Sequence, residues 1–350
     1  MNIFLTGATG FVGKQLSKEL LAEDHHLYIL CRSTQKAESF MEEMPSSLIG
    51  KVTCIKGDLS EKALGISEDK IEELSGRIDA VYHMAAYLSF DPSQKEETFN
   101  VNLEGTRHVM EFAEKAGCRK FLYVSTAYTV GMETEGKEEL YSLDRSFVNH
   151  YEESKSHSEH LLFSHKNVSN MEIMILRPAI IIGDSRTGEA QTTFGLYGLL
   201  KAASLLKRKV SKRQDWEDHV YHFLGQRELK MNLVPVDYVT KVLRTALKHG
   251  EDGKIYNITD PSPLTQDEIF EAVKESLEFP NLNLVPHSKA DSLTELEQAF
   301  NQSLTIFKHY FTREIHFPCD NTLALLNKAG EKPLSMNYKT LKFIIEGFNN

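Results

Sequence analysis

Tyr151 and Lys155, four apart in Tyr151-Glu152-Glu153-Ser154-Lys155, carry groups able to move a proton. On a helix that spacing sets phenol and ammonium on one face. A free phenol, pKa about 10, is a poor acid or base at neutral pH, and a cation held close lowers that value. Lys155 supplies the cation and can also hydrogen-bond a ribose. Upstream, the apolar run Phe121 to Val124 leads into Ser125-Thr126-Ala127. A hydroxyl at the carboxyl end of a sheet strand stands where open α/β sheets bind ligands. Thr126 can therefore share a substrate oxygen with Tyr151. Ser125 competes for that role, and either hydroxyl can instead cap the turn.

A second constellation concerns phosphate. Thr6-Gly7-Ala8-Thr9-Gly10-Phe11-Val12-Gly13 lies between a first apolar run and a periodic helical stretch. The spacing is GxxGxxG rather than GxGxxG. Glycines 7, 10 and 13 permit a tight turn, close backbone approach to a pyrophosphate and close helix packing, and the helix N-terminus offers its free N–H groups to the anion. About twenty residues on, where the second strand should meet the adenosine ribose, stands Leu30-Cys31-Arg32-Ser33, with no carboxylate. An Arg there suits a 2′-phosphate, so NADP(H) is favoured over NAD(H); the alternative is a solvated loop arginine. Asp58, in Gly57-Asp58-Leu59, is placed to accept from the adenine amino group.

These residues need a scaffold, and the chain has its rhythm. Strand-length apolar runs at Asn2 to Thr6, His26 to Cys31, Val52 to Lys56, Ala80 to Met84, Lys120 to Ser125 and Glu172 to Leu176 alternate with helical patterns. The helices fall at Val12 to Ala22, Glu68 to Leu74, Glu97 to Ala116 and Tyr151 to Ser164. A sheet return is expected within Met231 to Lys248 and a strand at Lys254 to Thr259, and Thr265 with Glu268 reads as a capping box. The fold class is α/β, a Rossmann-type doubly wound parallel sheet with a smaller, mostly helical substrate-binding lobe. Residues 1–183 plus 231–260 are assigned to the cofactor domain, and 184–230 plus 261–350 to the substrate lobe. In that lobe Phe194, Leu196, Leu199, Leu200, Ala203 and Leu206 form an apolar helical stripe. It walls an acyl tunnel or simply packs the lobe. The basic run Lys207, Arg208, Lys209, Lys212, Arg213 is a solvated face, or one that meets a CoA phosphate or an acidic carrier protein.

Hydrophobic residues at 41% and charged residues at 26% exclude a disordered chain. Forty Lys and Arg against fifty Asp and Glu leave −10, which speaks against nucleic acid as partner. Cys31, Cys54, Cys118 and Cys319 show no CxxC or CxH spacing and the histidines no HExxH, so neither a metal nor a disulfide framework is expected. With no signal peptide or spanning segment at the residues read, a cytoplasmic location is expected.

Over essentially its first 260 residues the chain resembles the extended short-chain dehydrogenase/reductase superfamily. The pieces are Thr6 to Gly13, Gly57 to Leu59, His83-Met84-Ala85-Ala86, Val101 to Thr106, Val124 to Ala127, Tyr151 with Lys155, and Leu176-Arg177-Pro178. Ile181 to Glu189, Asn232 to Val239 and Tyr256 to Thr259 look like its branch of thioester reductase domains and fatty acyl-CoA reductases. Where Ile180 to Gly183 stands here, sugar-nucleotide epimerases usually carry an Asn-Val-Tyr-Gly type sequence.

The resemblance implies catalytic roles for Thr126, Tyr151 and Lys155, with Tyr151 as general acid. It implies cofactor contacts from Gly7, Thr9, Gly10, Phe11, Val12, Gly13, Arg32, Ser33, Asp58, Leu59, Ala85, Ala86, Asn102, Tyr151, Lys155, Pro178 and Ile181. Of these, Asn102 reads as a backbone organiser, and His83 as a packing residue near the cofactor. Carrier modules usually precede such reductase domains and none precedes Met1. The expected substrate is then a free acyl-CoA, an acyl chain on an acyl carrier protein acting in trans, or a released aldehyde, taken by a monomer or homodimer. A nucleotide sugar, steroid or other secondary alcohol is the alternative substrate. A non-catalytic NADP(H) sensor is the reading from a different class, and the Tyr151 and Lys155 pair weighs against it.

Overall fold

The computed structural model describes residues 1–166, 170–190, 192, 195–305 and 308–348; Phe194 of the apolar stripe lies outside them. The chain divides into two compact units. The first comprises Met1–Ala179, Tyr238–Ile258 and Phe317–Pro333, the second Ile180–Asp237, Thr259–His316 and Leu334–Asn350.

The strands, in chain order, are β1 (Asn2–Thr6), β2 (His26–Cys31), β3 (Val52–Lys56), β4 (Ala80–His83), β5 (Lys120–Val124), β6 (Glu172–Pro178), β7 (Ile180–Ile182), β8 (Tyr221–Leu224), β9 (Leu233–Pro235), β10 (Ile255–Ile258) and β11 (Leu282–Val285). Seven of them form the sheet of the first unit in the order β10-β6-β5-β4-β1-β2-β3, and every neighbouring pair is parallel. A parallel sheet is covered on both faces, which is why its strands read as nearly continuous apolar runs; Ile3, Phe4 and Leu5 are wholly buried. The order reverses between β1 and β4, and at such a switch point the carboxyl ends of the strands open a crevice for ligand.

Helices α1 (Phe11–Ala22), α2 (Thr34–Glu42), α3 (Glu68–Leu74), α4 (Lys95–Phe99), α5 (Gly105–Lys115) and α6 (His150–His165) belong to this unit. The helix expected at Glu97 to Ala116 is interrupted by a π-helical turn over Asn100–Glu104. Its cause is polar: the Asn102 carbonyl accepts the hydroxyls of Thr106 at 2.6 Å and Ser158 at 3.1 Å, which draws it out of regular helix geometry. The expected sheet return at Met231 to Lys248 does not join the main sheet. β9 there pairs with β7 in a separate two-stranded sheet of the second unit, and helix α8 (Val236–His249) follows, with α7 (Leu196–Val210) before it in the chain. Residues 317–333, placed with the smaller lobe from sequence, pack with the main sheet. Glu138 ties them there, its carboxylate accepting from Asn257 N–H on β10 at 2.8 Å and from the Thr322 hydroxyl at 3.1 Å.

In the second unit β8 pairs with β11, and Phe223 packs between Phe270, stacked at 5.5 Å, and Phe311, edge-on at 5.4 Å. Helix α7 buries Leu196, Leu199, Leu200, Ala203 and Leu206, so the described part of the stripe is core. Arg208, Lys209, Lys212 and Arg213 beyond it are exposed. The capping box forms as read: the Thr265 hydroxyl accepts Glu268 N–H while the Glu268 carboxylate accepts Thr265 N–H at 2.8 Å, opening α9 (Gln266–Ser276). Among the described residues no helix is long and apolar enough to cross a membrane.

Candidate active site

The glycine loop leaves β1 and enters α1 with the geometry its residues require. Gly7 has φ +76°, which favours glycine, and a Cβ there would stand 2.7 Å from Ala85 N. A Cβ on Gly13 would stand 2.1 Å from the Gly7 carbonyl oxygen. Thus Gly7 lets the loop lie against the end of β4, and Gly13 lets α1 lie against the loop. Gly10 is the N-cap of α1 and no side chain caps that end; the first turn carries no acidic residue. Gly10 is exposed, while Thr9, Phe11 and Val12 are half-buried. A cradle that a Cβ would fill, with an uncapped helix end facing outward, fits a dinucleotide pyrophosphate. Ala85 and Ala86 follow β4, and Ala85 N–H donates to the Thr6 hydroxyl at 3.3 Å.

At the ends of β2 and β3 lies a groove of about 630 Å³ lined by Arg32, Lys56, Asp58, Glu61 and Lys70 among others. Arg32 is exposed, as is Ser33, which caps α2 by accepting from Lys36 N–H at 3.3 Å. Asp58 accepts from Ser60 N–H at 2.9 Å and from the Ser60 hydroxyl at 2.8 Å. The Ser60 backbone bond, opposed by burial and helped by the Ser60 hydroxyl and the Arg32 charge, holds the carboxyl below its ordinary value. Asp58 is therefore an anion beside Arg32. Leu59 is buried, and its carbonyl accepts from His108 at 2.8 Å.

At the carboxyl end of β5 the character changes. Asn149 caps α6, accepting from Glu152 N–H at 2.9 Å, and the helix then carries Tyr151 and Lys155 on one face. Lys155 is buried; its ammonium donates to the Val124 carbonyl at 2.8 Å and lies 4.5 Å from the centre of the Tyr123 ring. The sequence-adjacent Ser125 and Thr126 are buried too. Among the described residues the Ser125 hydroxyl has no partner. The Thr126 oxygen accepts from Tyr128 N–H at 3.3 Å and so caps the next turn, which leaves its own proton free to donate. Tyr151 meets Phe90 edge-on at 6.4 Å, and among the described hydrogen bonds none joins its phenol to Thr126 or Lys155. The lowering of the phenol expected from Lys155 does not appear: burial, then the charge of Glu152, raises it well above its ordinary value, so it is held in the acid form. Burial brings the Lys155 ammonium down to about 7, opposed by the charge of Glu159.

Asn102 holds α6 from outside. Its amide donates to the Tyr87 carbonyl at 3.1 Å and the Ser154 hydroxyl at 2.9 Å, and its oxygen accepts from Tyr87 N–H at 2.7 Å. Pro178 ends β6 and is buried, whereas Ile181 belongs to the second unit. Two arrangements went unread in the sequence. His83 bridges Thr6 at 2.6 Å and Thr106 at 3.0 Å. Since the Thr106 proton goes to Asn102, Nε2–H must be the donor and Nδ1 the acceptor, a neutral ring. Burial and then the Lys155 charge keep it so, well below the ordinary histidine value. The other is a buried ion pair between Glu159 and Arg177; its only sequence signal was the repeated four-residue step from Tyr151 to Lys155 to Glu159.

Comparison with known proteins points the same way. The family described as male sterility protein matches residues 5–243. The fatty acyl-CoA reductase wat of Drosophila melanogaster is 22% identical, over 94% of this chain and 78% of its own. Of solved structures, the terminal R domain from the myxalamid PKS-NRPS biosynthetic pathway has a TM-score of 0.81 at 24% identity, covering 98% of this chain and 89% of that one. A thiolation-reductase di-domain from an archaeal non-ribosomal peptide synthetase has a TM-score of 0.79 at 18% identity, covering 99% and 75%. At these identities the solved structures establish a shared fold.

Proposed function

This chain belongs to the male sterility protein family, within the extended short-chain dehydrogenases/reductases, and on that premise we propose that it is an NADPH-dependent reductase of acyl thioesters or of the aldehydes derived from them. The observation that carries this reading is the placement of Tyr151 and Lys155 one turn apart on α6, with the buried Thr126 hydroxyl following β5. Burial keeps the Tyr151 phenol in its acid form while a lysine ammonium stands one helical turn away. A protonated phenol at that place can donate to a substrate oxygen.

Bound along the glycine loop, the reduced nicotinamide supplies hydride to the carbonyl carbon of the substrate. Tyr151 gives its proton to the oxygen, and the Thr126 hydroxyl donates a hydrogen bond to the same atom as charge gathers there. Lys155 offsets the charge left on Tyr151 and bonds the cofactor ribose. With a thioester the resulting hemithioacetal breaks its C–S bond, giving aldehyde and thiol; a second hydride and proton give the alcohol. Asn102 acts through α6, and Arg32 with Ser33 takes the 2′-phosphate. Substrate choice is assigned to the smaller unit. The name of the fly relative, and the thiolation domain beside the archaeal reductase, support acyl-CoA or a carrier-bound acyl chain as substrate. A chain of net charge −10 takes these anionic ligands against its own field, so local donors must do the binding.

The test follows NADPH oxidation with acyl-CoAs of several lengths, the same chains on an acyl carrier protein, matching aldehydes and nucleotide sugars. Turnover with a thioester or aldehyde is expected. Turnover confined to nucleotide sugars would overturn the reading, and none with any substrate would favour a cofactor-sensing protein.

A further inference from the structure

Behind the proton-transfer face lies an ion pair with both side chains 1% exposed, the most enclosed among the described residues. Arg177, near the carboxyl end of β6, donates to Glu159 twice, Nε to Oε1 at 2.9 Å and Nη2 to Oε2 at 2.6 Å. Its third nitrogen, Nη1, donates to the Lys137 carbonyl at 3.1 Å, and the guanidinium lies 5.1 Å from the centre of the Tyr141 ring. Both carboxylate oxygens are thus fixed by one planar fork. Glu159 stands one helical turn beyond Lys155, as Lys155 stands one turn beyond Tyr151, so the three share a stripe of α6.

Stability is a weak reason for such a pair, because well-packed apolar residues in place of a buried ion pair often serve as well or better. Its neighbours offer another. The titratable or charged groups around Lys155 are Tyr123 on β5, His83 on β4, Tyr151 and Glu159 on α6, and Arg177 on β6. Of the two buried carboxylates on α6, Glu159 is the one whose charge acts on Lys155, whereas Glu152 acts on Tyr151. We propose that Glu159 and Arg177 are positioning residues for the proton-transfer centre, Glu159 as the counter-ion that keeps Lys155 cationic and Arg177 as the fork that fixes where that carboxylate stands. The inference rests on reading Tyr151 and Lys155 as the proton-transfer pair. Burial alone disfavours the ammonium, and the Glu159 charge opposes it. With that charge in place the ammonium already stands at about 7; without it Lys155 gives up its proton at lower pH still, and with it the cation that supports Tyr151.

The experiment measures the Kd of NADPH by fluorescence across about pH 5.5 to 9, beside the pH profile of reductase activity. In the native protein affinity falls as pH rises through the Lys155 titration. Glu159→Gln keeps the shape and removes the charge, and should move that midpoint, and the falling limb of activity, down by about one pH unit. Arg177→Lys keeps a cation on Glu159 and should leave the midpoint within a few tenths of native. Should Glu159→Gln fail to fold, the double variant Glu159→Gln with Arg177→Met leaves no unpaired buried charge and should still move the midpoint to lower pH, by less than the single variant because a neighbouring cation is lost as well. A folded variant whose midpoint stays at the native pH, even with lower turnover, overturns the proposal, as does a native affinity independent of pH. A shifted midpoint in a protein that reduces no thioester or aldehyde would sink the substrate reading and leave the pair's role standing.

Discussion

At the β5 and β6 end of the sheet's carboxyl edge the charges are buried and each has a fixed partner; at the β2 and β3 end they stand in an open groove. Lys155 is held by the Val124 carbonyl and Glu159 by a two-pronged guanidinium, whereas Arg32 is exposed and touches Asp58 only through its field. Coulomb interactions are several-fold stronger in the low-dielectric interior than at a wetted surface. The buried end can therefore shift proton affinities by fixed neighbours, which is why the proposed chemistry is assigned there. At the open end water screens each charge, so discrimination between cofactors rests on direct contacts that single substitutions can change.

The largest effect should come from breaking the buried end. Tyr151→Phe removes the acidic proton and little else, since among the described residues the phenol makes no hydrogen bond to Thr126 or Lys155. General acid catalysis is worth about 10²- to 10⁴-fold, so kcat should fall by that factor while the Kd of NADPH stays within about 2-fold. Steady-state rates and fluorescence titration read the two separately. An unchanged kcat would take Tyr151 out of the mechanism and leave the buried end without its acid.

At the open end the effect is smaller and falls on binding. Arg32→Ser removes the guanidinium that we propose meets a 2′-phosphate, leaving Lys56 and Lys70 as the cations of that groove. A hydrogen bond to a charged group is worth about 1.5 to 3 kcal/mol, so the Kd of NADPH should rise roughly 10- to 100-fold while that of NADH changes by less than about 3-fold. Because the contact is exposed, the gap between the two cofactors should narrow as salt is raised. If native protein binds NADH and NADPH equally well, Arg32 is a solvated loop residue and the groove at that end plays no part in the choice.

The two ends also differ in how far they were legible in sequence. The glycine loop, Arg32 and Asp58 are local features: each follows the end of an apolar run, and strands covered on both faces display their bounds plainly, as β1 and β2 do. What organises the buried end comes from residues far apart in the chain. The π turn arises because the Asn102 carbonyl meets Thr106 and Ser158, and the Asn102 side chain reaches Tyr87 and Ser154, contacts that a helical period from Glu97 to Ala116 does not reveal. Arg177 was visible as part of Leu-Arg-Pro, but its partner lies eighteen residues back on another element. The short run within Met231 to Lys248 posed a related problem, since three apolar residues carry no information about which sheet they join. Residues 317–333 are held to β10 by a carboxylate at Glu138, more than 180 positions away, and only the folded chain brings the two together.

The smallest effect separates two residues of the same groove. Asp58 and Arg32 line it together, yet they should act on different parts of the cofactor, the adenine amino group and the 2′-phosphate. Asp58→Asn keeps an acceptor for Ser60 N–H and weakens a single bond to the base, worth about 0.5 to 1.5 kcal/mol. The Kd should therefore rise roughly 2- to 10-fold, and by the same factor for NADH and NADPH, because both carry the same adenine. Titrating both cofactors against Asp58→Asn and Arg32→Ser gives a four-way comparison. Arg32→Ser should change the ratio of the two affinities, whereas Asp58→Asn should scale both and leave the ratio alone. A change of ratio in Asp58→Asn would mean that the carboxylate acts by orienting the Arg32 guanidinium. The open end would then be a charge pair like the buried one, built at the surface.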